Sequence, residues 1–117
     1  MHTVMNSKKK PSKYYWFGVR SVFLFGKKKN GSNVFEERIV VFSAKTSEEA
    51  FAKAQREAES YAKILKLERH PDMEAYIQDG DNLIDGYEVW STPYESRENL
   101  KAFVKNRYDK YRYHPDK

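Results

Sequence analysis

A chain of 117 residues with no cysteine and a net charge of +5 fits one domain that buries its own core without disulfide staples or a thiolate metal site. Its apolar runs are too short to cross a bilayer, and residues 1–13 lack the apolar stretch of a secretory leader, so a cytoplasmic protein with no membrane partner is expected. The charge divides as +4 over residues 1–13, −2 over 14–92 and +3 over 93–117, so the basic excess belongs to the two ends and the centre is mildly acidic.

Residues 1–13, rich in lysine and serine and containing Pro11, predict a disordered basic tail. Residues 14–25 and 34–43 read as a long strand pair. The loop between them contains Gly26, Asn30, Gly31 and Asn33, residue types that tolerate positive φ. A strand with one wet face alternates apolar and polar residues, and the first strand does not. Tyr15, Phe17, Val19, Phe23 and Phe25 fall on one parity, Tyr14, Trp16, Val22 and Leu24 on the other. The hairpin therefore needs cover on both faces. Its lysine run, Lys27 to Lys29, reads as a solvated tip.

Thr46-Ser47-Glu48-Glu49 is a capping box that starts a helix. Ala50, Phe51, Ala54, Ala58, Tyr61, Ala62 and Leu65 recur at three- and four-residue spacing, the small alanines allowing close approach to a sheet, and the helix is expected to end near Leu67, ahead of Pro71. Residues 74–79 and 87–91 read as two further strands. Thr92 and Pro93 then suit the start of a final helix, along which Leu100, Phe103, Val104, Arg107, Tyr108 and Tyr111 form a stripe. The order strand, strand, helix, strand, strand, helix predicts an α+β domain over residues 14–111. It has an antiparallel sheet of about four strands, a long N-terminal hairpin and a short C-terminal tail over 112–117. The two helices either cover the two sheet faces separately or share one and leave the other to a second subunit; the pattern does not choose.

The run from Trp16 to Arg20, the run from Phe35 to Val40, the alanine-rich helix and the run from Gly86 to Ser91 together resemble an uncharacterised family of small bacterial domains of unknown function. The resemblance spans residues 14–92. It implies a single cytoplasmic domain and carries no activity with it.

Charged residues inside otherwise apolar strands mark the candidate site, because a charge in a sheet interior is costly unless paired. Arg20, Glu37 and Glu88, beside Trp16 and Trp90, form the candidate binding cluster, and a one-residue slip decides whether Arg20 shares a face with Glu37 or with Glu36 and Arg38. His70-Pro71-Asp72 and His114-Pro115-Asp116 read as turns. The second resembles the loop of J-domains, but Lys105 and Asp109 stand where that pattern has Ala and Leu. The three histidines lack metal-ligand spacing, and Leu83 interrupts the acidic run Asp79, Asp81, Asp85 where a calcium loop needs an oxygen, so no metal and no cofactor is expected.

The leading expectation is a non-enzymatic domain that binds a protein partner or itself, as a homodimer, through an aromatic sheet face, since aromatic residues are enriched at interface hot spots. Small size extends this to a regulator or inhibitor in bacterial or phage conflict. The first alternative is nucleic-acid binding by the basic ends through Lys8, Lys9, Lys10, Arg107, Lys110 and Arg112, where tyrosines interleave with cations. The second is a small-ligand binder or enzyme built on Arg20, Glu37 and Glu88.

Overall fold

The computed structural model describes residues 2–4, 14–78, 85–86 and 88–115. In chain order the elements are β1 (His2–Val4), β2 (Tyr15–Lys27), β3 (Asn33–Ala44), α1 (Ser47–Leu65), β4 (Glu68–Arg69), β5 (Glu74–Ile77) and α2 (Leu100–Val104), the last running on through a π-turn at Lys105–Asp109. This is the expected α+β fold built on a long hairpin.

β2 and β3 pair antiparallel from Tyr15↔Ala44 to Lys27↔Asn33, with one extra residue on β2 between Leu24 and Gly26. The tip closes through Gly31, whose amide donates to the Lys28 carbonyl at 3.0 Å and whose φ of +90° is open only to a residue without a Cβ. On the other edge of β2 lie β5, in register from Phe17↔Ile77 to Arg20↔Glu74, and β4 at Phe23↔Arg69. The resulting sheet order is β1-β5-β2-β3, antiparallel except where β1 runs parallel to β5.

α1 is capped as its sequence requires. The Glu49 amide donates to Thr46 Oγ1 at 3.2 Å, while the Glu49 carboxylate accepts from the Lys45 amide rather than from Thr46. Its C-terminus stops at Lys66, which takes the left-handed conformation (φ 58°) so that the Leu67 amide reaches the Ala62 carbonyl at 2.8 Å. The inner face of Ala50, Phe51, Ala54, Ala58 and Ala62 lies on one face of the sheet, against Phe17, Val19, Ala75 and Ile77 at one end and Phe23 at the other. Four of those five α1 residues are alanine, and that is why the helix sits close enough to bury the β2 aromatics.

Three expectations change. Residues 2–4 of the expected tail form a strand: His2↔Glu74, Thr3↔Ala75 and Val4↔Tyr76 satisfy the edge of β5. Residues 88–91 join no ladder. They are irregular chain crossing a sheet face, not the strand expected over 87–91; Tyr87 lies outside the described residues. Finally, the last helix begins at Leu100 instead of Pro93, because Asn99 provides the cap, its Oδ1 accepting from the Ala102 amide at 2.9 Å. Thr92 is used elsewhere, accepting from Trp90 Nε1 at 2.5 Å. Among the described residues no helix is long and apolar enough to cross a membrane.

Candidate functional site

The register answers which charges share a face. Arg20 lies opposite Ile39 and Val22 opposite Glu37, so Arg20 and Glu37 are diagonal neighbours on the face away from α1, while Glu36 and Arg38 lie on the α1 face. Arg20 bridges Glu74 at 2.7 Å and Glu37 at 3.6 Å. Glu37 in turn meets Arg107 at 3.4 Å, and Arg107 donates to the Tyr94 hydroxyl at 3.3 Å. The hydrogen bond to Tyr94 holds the Arg107 pKa above its ordinary value, with Glu37 adding to it. The chain Glu74, Arg20, Glu37, Arg107, Tyr94 is a partly exposed ion-pair relay across an open face. It ties the C-terminal segment to the sheet, and its members are half-solvated, the regime in which such pairs contribute modestly.

Glu88 does not join the relay. It accepts a hydrogen bond from Tyr76. Trp90 packs against Tyr76, ring centroids 6.0 Å apart, and over Gly18, where an added Cβ would sit 3.4 Å from both Trp90 Cε3 and the Val89 carbonyl. Gln78 donates to that same carbonyl at 2.5 Å. Residues 88–92 therefore act as a strap over the middle of the second face, seated on Gly18, a β2 position without a side chain. Trp16 lies two residues along that face, opposite Ser43 at the hairpin base.

Beyond the strap, the second face is open. Phe35, Ile39 and Val41 of β3 are 65%, 46% and 41% exposed. β3 is also the edge of the sheet. The Trp16 carbonyl accepts from Gln78 and the Val22 carbonyl from His70, so even-numbered β2 residues direct their backbone groups away from β3. By the alternation of an antiparallel ladder, the N–H and C=O groups of Phe35, Glu37, Ile39, Val41 and Ser43 then point outward. At the far end Lys53 Nζ meets the Ser43 carbonyl at 2.6 Å. No other outward group of this row has a partner among the described residues.

The α1 face carries the contrasting polar cluster. Arg38 forms a two-pronged bridge to Glu57, both contacts at 2.7 Å, and lies 3.8 Å over the Tyr61 ring, whose hydroxyl donates to Glu36 at 2.7 Å. Arg38 is pushed above its usual pKa chiefly by the Glu57 hydrogen bonds, and Tyr61 above its own by the Glu36 carboxylate. Every member is engaged within the fold.

Arg107, Lys110 and Arg112 come together in a cleft of about 790 Å³ between the hairpin tip and the C-terminal segment. Lys28 of the tip joins them, donating to the His114 carbonyl and lying 5.6 Å over the Tyr113 ring. Tyr108, Tyr111 and Phe35 also line this cleft, and Glu37 is its only carboxylate among the described residues. Lys8, Lys9 and Lys10 lie outside the described residues. Lys28 and Phe35 were not expected at a site. The lysine run read as a solvated tip because nothing local reveals that the chain end folds back against it.

Among the described residues no three histidine or carboxylate side chains are grouped as they would be to hold a metal ion. No family model matches the chain, and neither a curated protein nor a solved structure does.

Proposed function

We propose that this is a non-enzymatic protein-binding domain of the cytoplasm, and that its docking surface is the free edge of β3 with the exposed row Phe35, Ile39 and Val41. The observation that carries the reading is the edge itself: 12 residues of strand whose outward hydrogen-bonding groups are open along its middle, beside apolar side chains. Such an edge is a ready template for strand addition, in which main-chain bonds supply affinity and alternate side chains supply specificity.

The occupant that suits this edge is a second copy of the chain. A two-fold axis through Ile39 sets Ile39 against itself, Glu37 against Val41 and Phe35 against Ser43; on the other face Arg38 meets Val40 and Glu36 meets Phe42. No like charges stand opposite one another. Moving the axis to Arg38 would set two guanidiniums together, which is destabilising. The α1 face stays covered by its helix, so the paired sheets extend the second face alone.

The cysteine-free sequence allows a direct test. Directly opposed residues in a hydrogen-bonded antiparallel pair have Cα atoms about 5.5 Å apart, inside the disulfide range. Ile39→Cys should oxidise to a covalent dimer, whereas Gln55→Cys on the exposed side of α1 should not. The unmodified chain should show concentration-dependent dimerisation by sedimentation equilibrium, abolished by Ile39→Lys, which sets two like charges opposite one another at the axis. A strict monomer at millimolar concentration would overturn self-pairing, and a dimer unaffected by Ile39→Lys would place the interface elsewhere.

A further inference from the structure

We infer that the cleft between the hairpin tip and the C-terminal segment binds a short stretch of single-stranded nucleic acid, with phosphates along Lys28, Lys110 and Arg112 and bases on the rings of Tyr111 and Tyr113. This goes beyond the strand-pairing function: the cleft shares Phe35 and Glu37 with the β3 row, but the cations and rings invoked belong to the hairpin tip and the C-terminal segment, so failure of the β3 dimer would leave it standing.

Charge is the first support. The C-terminal stretch 93–117 carries +3, and the hairpin tip adds three consecutive lysines, Lys27 to Lys29. In the cleft Glu37 is already occupied by Arg20 and Arg107. Lys28 and Lys110 form no ion pair among the described residues, and Arg112 has only the looser contact to Asp109 at 3.5 Å. These cations are available to a phosphate chain.

The rings are the second support, and they point to bases rather than to carboxylates. Tyr111 is 76% and Tyr113 57% exposed, yet each already has a cation near its face, Lys110 over Tyr111 and Lys28 over Tyr113, both at 5.6 Å. An exposed aromatic ring next to an ammonium presents a flat stacking surface and a phosphate anchor within one nucleotide's reach, the pairing that sequence-tolerant single-strand binding uses. An acidic peptide would engage the cations and leave the rings in water. Base-paired strands keep their faces stacked on each other, so a duplex could not use the rings either.

The backbone supplies the third support. The helix widens into a π-turn at Lys105–Asp109, where the Lys110 amide reaches back to the Lys105 carbonyl at 2.9 Å. Such turns are frequent at functional sites. This one contains Arg107, which the relay pins to the sheet, and leads directly into Lys110 and Tyr111 of the cleft. It lets one side of the segment be anchored while Tyr111 stays exposed.

The test titrates the full chain into fluorescein-labelled oligothymidylate and oligouridylate of about 12 nucleotides, a length within single-strand site sizes, and reads anisotropy over a salt series. Both probes should bind, with log affinity falling by roughly 0.7 per phosphate contact against log salt. Tyr111→Ala should weaken binding about 5- to 100-fold at an unchanged salt slope, and Tyr111→Phe should retain it. Lys110→Gln with Arg112→Gln should flatten the slope by about 1.4. These side chains are exposed, so thermal melts should be unchanged and loss of fold is not confounded with loss of binding. Equal binding of polyglutamate or of duplex DNA, or an unchanged affinity in Tyr111→Ala, would overturn the proposal. So would loss of binding on replacing Lys8, Lys9 and Lys10 with serine while the cleft variants bind normally, because a tail would then carry it. Substitution is the right probe of those lysines, since deleting residues 1–13 would also remove β1.

Discussion

The two faces of one hairpin have opposite fates. On the α1 side, Phe17, Val19 and Phe23 are almost fully buried, and even the charged residues are tied into the Arg38, Glu57, Tyr61 and Glu36 cluster. On the other side a strap of residues 88–92 covers the centre, a relay of ion pairs pins the C-terminal segment, and the β3 row remains in water. The difference follows from what each covering segment can offer. α1 has 19 residues and an alanine-rich face, so it buries area continuously, while α2 has five residues and buries none of them. Apolar residues on both faces of a strand thus signal a need for cover, and here the chain meets that need fully on one side only.

Substitutions on the two faces should separate them. The largest effect is expected at Phe23, which is 0% exposed and packs edge-on against Tyr61 with centroids 5.0 Å apart. Phe23→Ala should cost about 3–5 kcal/mol by loss of transfer energy and creation of a cavity. Ile39→Ser on the free face should stay within about 0.5 kcal/mol. Chemical denaturation of the two variants at a concentration where the chain is monomeric makes the comparison, and equal losses would mean the second face is covered after all.

A middle effect is expected at the strap. Alanine at position 18 would just reach contact with Trp90, but Gly18→Val would overfill the space beneath the ring and the Val89 carbonyl. Overpacking of this kind costs about 1–3 kcal/mol, and it should act by lifting the strap, seen as a red shift in tryptophan emission. An unshifted spectrum with unchanged stability would show that Trp90 is not seated on Gly18.

The smallest effect is a pH dependence confined to the α1 face. The Tyr61 hydroxyl titrates above its usual value because it donates to Glu36. Its folded pKa is raised relative to the unfolded chain, so above about pH 10 the folded state holds more protons than the unfolded one. Stability must then fall as pH rises through that range, and below it the contribution is fully present. Tyr61→Phe should remove this part of the alkaline decline, measured as the difference between wild-type and variant melting curves across pH 9 to 11, roughly the phenol range. An identical decline in the variant would assign it to other groups.

Much of the fold was legible because local physics specifies it. The hairpin, its glycine-dependent tip, the Thr46 cap and the period of α1 each rest on interactions within a few residues. The strand expected over residues 87–91 shows where that legibility stops: alternation and β-propensity were present, but the strand beside β5 is His2–Val4 from the opposite end of the sequence, and residues 88–92 lie across a sheet face instead. The final helix is a different case, since Thr92 and Asn99 are both good caps and the Thr92 hydroxyl accepts from Trp90, two residues away, in the strap. The candidate site divides similarly. Arg20 and Glu37 were found as charges out of place in strands, but Phe35, Ile39 and Val41 stand out only once β3 is known to be an edge, and Lys28 only once the C-terminus lies against it.

By itself, then, the sequence determined an α+β domain with a hairpin spine, one helix made to lie close on it, and basic ends around a mildly acidic centre. These follow from periodicity, capping and composition, which need no knowledge of the partner surface. The tertiary structure alone decided the strand register, which put Arg20 with Glu37 and Glu36 with Arg38. It also decided which hairpin face would be left open and brought the basic end against the lysine tip. Register and docking depend on contacts between segments far apart in the chain, and a one-residue slip or an occupied edge changes every side chain's surroundings without changing a single local preference.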